Sequence, residues 1–166
     1  MEVIIFDNIS SGTTENIPKG SKFVKGDIGN YNLEKLLKGI DIVVHCAAFV
    51  SAPESFLKFK ECYDINVKAT WDLINAAKKA NIKKLIFCSS SAVYPESTEP
   101  NYESELPKPA NPYGLTKLDI EHILAMFNQE YGFSFTALRY FNVYGPRQDV
   151  NSEYSAVIPI FITRAL

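Results

Sequence analysis

The 166-residue chain is poor in the residues that most metal centres, membrane segments and nucleic-acid surfaces are built from. It has three cysteines, Cys46, Cys62 and Cys88, an odd number with no CxxC spacing, and two of them sit in apolar runs where a thiol packs as a small hydrophobe. That usage fits a reducing compartment. His45 and His122 are the only histidines, and without a Cys/His cluster there are too few soft ligands for a tetrahedral metal site. Neither sign of charge dominates: 17 Lys and Arg stand against 19 Asp and Glu, interspersed, so no nucleic-acid face or anionic-membrane surface is marked. No stretch reaches the roughly 18 apolar residues of a membrane span. The first residues also lack a basic segment followed by an apolar one. Repeats and low-complexity tracts are missing too. The expectation is a cytoplasmic chain with no nucleic-acid and no membrane partner. Its 46% hydrophobic content suffices for one sizeable core, and the length is too short for two.

What is present is an alternation of short β-branched runs with longer segments of helical period, the rhythm of βαβ units. "EVIIF" ends at Asp7, "KFVKGDI" is a second short run, and "DIVVHCAA" a third, apolar on both faces as a buried parallel strand should be. "KKLIFCSSS" and "FSFTALRYFNVYG" supply two more. Between them, "NYNLEKLLKG" predicts a short helix closed by Gly39, residues 54–80 a long one with Lys78 and Lys79 in its last turn, and Pro112 to Tyr131 a third ended by Gly132. The Pro-rich "YPESTEPNYESELPKPANP" is too long for an idle connection and reads as an active-site loop. The fold class expected is α/β, a doubly wound parallel sheet whose ligands bind beyond the carboxyl ends of the strands.

Tyr113 and Lys117 in "NPYGLTK" stand four apart, on one face of that third helix. An ammonium there favours the phenolate, and a phenol brought towards neutrality can take a proton from a sugar hydroxyl, with a serine hydroxyl from "SSS" completing the path. The spacing recurs at Tyr31 and Lys35, so alone it decides nothing. Tyr113 starts a helix after a strand ending in hydroxyls. Tyr31 has none upstream and reads as structural.

Taken in order, "FDNISSG", "GDI", "HCAA", "INVKAT", "FCSSSAVY", "NPYGLTK" and "RYFNVYGP" resemble the extended short-chain dehydrogenase/reductase superfamily, in its nucleotide-sugar epimerase and dehydratase branch. The resemblance spans almost the whole chain and implies a Rossmann-like fold with NAD as cofactor. It implies that Asp7 bonds the adenosine ribose hydroxyls, with Asn8 and Ser11 nearby, and an acid there suits NAD because it repels a 2′-phosphate. Asp27 and Ile28 would flank the adenine, Ala47 and Ala48 would let the cofactor pass close to the backbone, and Asn66 would support the site. Ser90 best matches the catalytic hydroxyl beside Tyr113 and Lys117, with Ser89 and Ser91 as neighbours open to confusion with it. Ser90, Ser91 and Asn142 would meet the substrate, a nucleotide sugar of the UDP-hexose class. Tyr140 and Asn142 would border the nicotinamide and the sugar diphosphate, the alternative for Tyr140 being a core aromatic. Dehydratases and decarboxylases of the branch carry acidic residues where this chain has Ser91 and Ala92. That difference favours epimerisation at C4, with Tyr113 as base.

The same resemblance marks what is not in the sequence. In the family a strand, a glycine-rich turn and a helix precede the Asp-bearing strand, and no GxxGxxG occurs among the eight glycines. The expectation is an incomplete Rossmann-like domain over residues 1–166, lacking its first strand and helix and a separate substrate domain. The missing strand would lie between the Asp7 strand and "VVHCAA". Two readings stay open, part of an epimerase or an inactive binding and assembly module pairing its exposed strand edges with another chain, a second copy included.

Overall fold

The β-branched runs become five strands in the computed structural model, which describes residues 2–148 and 157–166. β1 (Ile4–Asp7) pairs in parallel with β2 (Lys22–Lys25), Ile4 opposite Lys22 and Asp7 opposite Lys25. β3 (Ile42–His45), β4 (Lys84–Ser90) and β5 (Phe135–Tyr140) form a second parallel sheet in that order. No described strand joins the two sheets, although the ends of β1 and β3 open on the same cavity. The break falls between the Asp7 strand and the "VVHCAA" strand.

Helix α1 (Leu33–Leu36) follows β2 and is capped by the Asn32 side chain, which accepts from the Lys35 amide. Residues 54–80, expected as one helix, are α2 (Glu54–Leu57), α3 (Phe59–Tyr63), a wide π-helical turn over Asp64–Ala69, and α4 (Thr70–Lys79). The helical path breaks at Lys58, whose φ of −116° and ψ of 40° are not helical. Hydrophobic period cannot show such a break, and the π turn beyond it is held by tertiary hydrogen bonds to Asn66. Helix α5 (Pro112–Tyr131) matches its expected bounds for local reasons. Asn111 accepts from the Gly114 amide at 2.8 Å, Pro112 takes the first turn, and Gly132 ends the helix at a φ of 66°. A last helix, α6 (Val157–Ala165), has no counterpart among the sequence expectations. No helix among the described residues is long and apolar enough to cross a membrane.

Helix α1 packs on α4 and α4 on α5, against the sheet. Their shared core holds Leu73, Ile74, Leu85, Phe87, Ile120 and Leu124, with Phe6 of β1 and Val43 of β3 packed on it. Each such side chain contributes about 1.5–3 kcal/mol of burial, so this face defines the fold. β3 departs from its expectation. Val43 and His45 face the core, but Ile42 and Val44 remain 52% and 58% exposed, since no described element covers the other face.

Candidate active site

β4, the central strand of its sheet, carries Ser90 at its carboxyl end, where its hydroxyl accepts from the Ala92 amide at 3.1 Å and draws Ser91–Val93 into a tight 3-10 turn. Helix α5 begins against that turn. A β-carbon on Gly114 would fall 2.2 Å from the Ala92 carbonyl oxygen, so only glycine lets the first turn of α5 come this close. The contact brings Tyr113 to β4, where the Ser90 hydroxyl acts on its phenol and favours the phenolate. The Tyr113 amide is itself fixed, donating at 3.1 Å to the hydroxyl of the buried Ser55 in α2. The alternation along β4 sends Ser89 to the other side, where it donates to Glu121. Glu121 also receives Arg139 of β5, Nη2 to Oε2 at 2.7 Å and Nε to both oxygens at 3.1 Å. Ser90, and neither neighbour, is thus the serine at the phenol.

Lys117 is 4% exposed, and its Nζ donates to the Cys88 carbonyl at 2.9 Å, 5.7 Å from the centre of the Tyr113 ring. Burial pulls its pKa down to about 8. The sequence leads one to expect that Lys117 depresses the Tyr113 pKa, and the structure corrects this. The phenol is raised, chiefly by burial, which disfavours the phenolate, while the Ser90 hydroxyl pulls the other way. Lys117 spends its proton on a backbone carbonyl instead.

Asn66 locks the surroundings. Its Oδ1 accepts from the Phe49 amide at 2.7 Å, and its Nδ2 donates to the Phe49 carbonyl and to Thr116 Oγ1, each at 3.0 Å. Thr116 in turn donates to the Tyr113 carbonyl at 2.7 Å. With both ends of its amide engaged, Asn66 ties the segment after β3 to the helix that carries Tyr113. The wide turn that positions it is the kind of helical irregularity that concentrates at functional sites.

A cavity of about 480 Å³ opens beyond the carboxyl ends of β1 and β3, and Ser90, Tyr113, Lys117 and Asn66 are not among its lining residues. Asp7, Asn8, Ser11, Asp27, Ile28, Ala47 and Ala48 all line it. Asp7 Oδ1 accepts from the Ile9 amide at 2.6 Å, holding Ile9 at a φ of 57°, and Asn8 donates to Asp27 Oδ2 at 2.7 Å. The opposite wall is a helical face absent from the sequence expectations, Asp64, Lys68 and Asp72, although their four-residue spacing is visible in the sequence. Cys46 joins the two regions: it lines the cavity, and its Sγ lies 3.4 Å from that of Cys88. Tyr140 and Asn142 stand apart from the cavity wall. Tyr140 pairs with Ser90 across β4 and β5 and is 45% exposed, so it is not a core aromatic, and Asn142 is exposed beyond the strand. Tyr31 packs edge-on against Phe6, and Lys35 lies on α1 against α4.

Ser55, Gly114, Thr116, Glu121 and Arg139 are not recognisable from sequence as parts of the site. Only Gly114 carries a signal, as a poor helix former inside a helical pattern.

Residues 1–166 match the NAD dependent epimerase/dehydratase family. The chain belongs to that family. Among curated proteins it is 38% identical over 172 residues to a putative UDP-glucose 4-epimerase of Methanocaldococcus jannaschii, covering 99% of this chain and 55% of the relative. It is 33% identical to the UDP-glucose 4-epimerase of Streptomyces lividans, covering 97% and 51%. Among solved structures, the UDP-N-acetylglucosamine 4-epimerase of Methanobrevibacter ruminantium, in complex with UDP-N-acetylmuramic acid, superposes with a TM-score of 0.92 at 46% identity. That match covers 98% of this chain and 54% of the other. The Thermus thermophilus UDP-glucose 4-epimerase complex with NAD gives a TM-score of 0.87 at 33% identity, covering 93% and 51%. The chain spans about half the length of the curated relatives it matches.

Proposed function

We propose that this chain is the cofactor-binding and catalytic portion of an NAD-dependent UDP-sugar 4-epimerase, the sugar-binding portion lying outside these residues. One observation carries the reading: the buried Lys117, four residues from Tyr113 on α5, is joined through Cys88 and Cys46 to a cavity walled by Asp7 and Asp27. The relatives named above, 4-epimerases of UDP-sugars, support it.

The donor set fits the adenosine end of NAD. Asp7 offers a carboxylate to the ribose hydroxyls, Ile28 an apolar wall to the adenine, and Ala47 and Ala48 clearance for the backbone to approach. The diphosphate finds less. The cavity meets the side of the helical stretch at Asp64, Lys68 and Asp72, and among the described residues no glycine-rich turn opens a helix towards it. When bound, NAD supplies the hydride acceptor at the sugar C4. Tyr113, with Ser90 beside it, is the candidate to take the C4 hydroxyl proton. That role requires the phenol to titrate lower with ligands bound than it does here, where burial dominates. Ser91 and Asn142 border the sugar, and Tyr140, opposite Ser90, borders the nicotinamide.

Elimination of water needs a further acid or base, and at the turn after Ser90 the chain offers only Ser91 and Ala92. The chain completed to the length of its relatives is therefore expected to interconvert C4 epimers of a UDP-hexose. A 4-keto-6-deoxy sugar as the main product, read by mass spectrometry, contradicts the epimerase reading and leaves the fold intact. A second reading rests on the edges of β1 and β3, unpaired among the described strands, and on the exposed Ile42 and Val44, which suit pairing with another chain or a second copy.

A further inference from the structure

The chemistry above leaves the cysteines without a task, yet all three lie close enough to Lys117 to act on its charge. Cys62 is fully buried against Thr116. Cys46 and Cys88 form a pair. His45 stands opposite Phe87 in the parallel register of β3 and β4, which sets the next residues, Cys46 and Cys88, side by side. Neighbouring strands run about 4.8 Å apart, inside the separations of about 4.4–6.8 Å between α-carbons that disulfides bridge. The two sulfurs are already 3.4 Å apart, so side-chain torsions bring them to bonding distance without moving the sheet. Cys46 is exposed at the cavity wall and Cys88 half-buried behind it.

We propose that Cys46 and Cys88 are a redox modification site, closing reversibly to a disulfide across β3 and β4 on contact with a peroxide. The exposed Cys46 sulfur attacks the peroxide, the O–O bond breaks, and Cys46 becomes a sulfenic acid as one water leaves. The Cys88 sulfur then attacks the Cys46 sulfur; the S–S bond forms, the S–O bond breaks, and the hydroxide takes the Cys88 proton to leave as a second water. Two thiols lose two electrons, and the peroxide gains them. Burial pushes the Cys88 thiol up to about 11, so the first attack falls to the exposed Cys46 at the cavity wall, and Cys88 resolves because its sulfur is already 3.4 Å away. The link would bind the cavity wall to the residue whose carbonyl holds Lys117. None of this depends on which sugar the site accepts.

The test uses the reduced 166-residue chain, treated with hydrogen peroxide, alkylated and digested with trypsin. The expected product is the peptide 39–58 cross-linked to 85–117, released by dithiothreitol, with Cys62 alone alkylated. The cross-link forms faster in the folded chain than in urea, and it persists in Cys62→Ser. Separate sulfinic acids at Cys46 and Cys88, a link between two chains through Cys46, or a rate no faster than in urea each overturns the proposal.

Discussion

Gly114 lies so close to Ala92 that a β-carbon on it would stand 2.2 Å from the Ala92 carbonyl oxygen, with the carbonyl carbon at 3.0 Å. Both obstacles are backbone and cannot rotate away. Gly114→Ala should therefore cost about 1–3 kcal/mol by overpacking, even though alanine is the better helix former. Thermal unfolding reads this as a fall in Tm of about 2–4 °C per kcal/mol for a chain of this size. An unchanged or raised Tm would mean that α5 and the turn after β4 are not in contact. Because this contact brings Tyr113 to Ser90, the same substitution should impair any chemistry of the pair.

His45 gives the fold a pH dependence. It is 4% exposed, its Nε2 lies 2.8 Å from Thr70 Oγ1, and burial, with a smaller contribution from Lys117, lowers its pKa to about 3. Between its ordinary value near 6.5 and 3, the unfolded chain binds a proton that the folded chain refuses. Stability thus falls with falling pH across that window, by about 1.4 kcal/mol per pH unit from this group, and is indifferent to it above neutrality. Urea unfolding at pH 7 and pH 5 should show the loss. His45→Gln should remove this share of the slope, and a variant with the unaltered slope would show that His45 is not the group responsible.

NAD should bind the 166-residue chain weakly. On the function proposed above, Asp7, Asp27 and Ile28 would meet the adenosine, while the helical stretch at Asp64, Lys68 and Asp72 would turn its flank to the diphosphate. Two or three absent charge-assisted bonds of about 1.5–3 kcal/mol each amount to on the order of a thousandfold in affinity. Calorimetry should find no micromolar binding. Joining an N-terminal βα segment with a GxxGxxG turn should restore it, and micromolar affinity without that segment would mean that other residues seat the phosphates.

Much of this is legible in local sequence. The β-branched runs form the strands, and Asn111, Pro112 and Gly132 bound α5, because caps and turn residues act within a few positions of themselves. The acid at the end of "EVIIFD" and the small pair Ala47 and Ala48 meet in one cavity, since parallel strands present their carboxyl ends together. What is not legible depends on partners far along the chain. The wide turn at Asn66 answers to the backbone of Phe49, the Tyr113 amide answers to Ser55, and Gly114 to Ala92. The direction of the Tyr113 pKa shift belongs to this group. A four-residue spacing says that Lys117 is near, but not that its ammonium turns to the Cys88 carbonyl or how deeply the phenol is buried.

The role of Tyr113 is tested most directly in the chain extended at both ends with the flanking portions of the Methanobrevibacter ruminantium enzyme, whose fold it shares with a TM-score of 0.92. Turnover of UDP-galactose to UDP-glucose is measured with and without Tyr113→Phe, with NAD binding followed in parallel. The expected result is active turnover that falls by about a hundredfold to ten-thousandfold in Tyr113→Phe while NAD binding is kept, as loss of a positioned acid–base group requires. Turnover retained by Tyr113→Phe would contradict it and move the proton transfer to another residue.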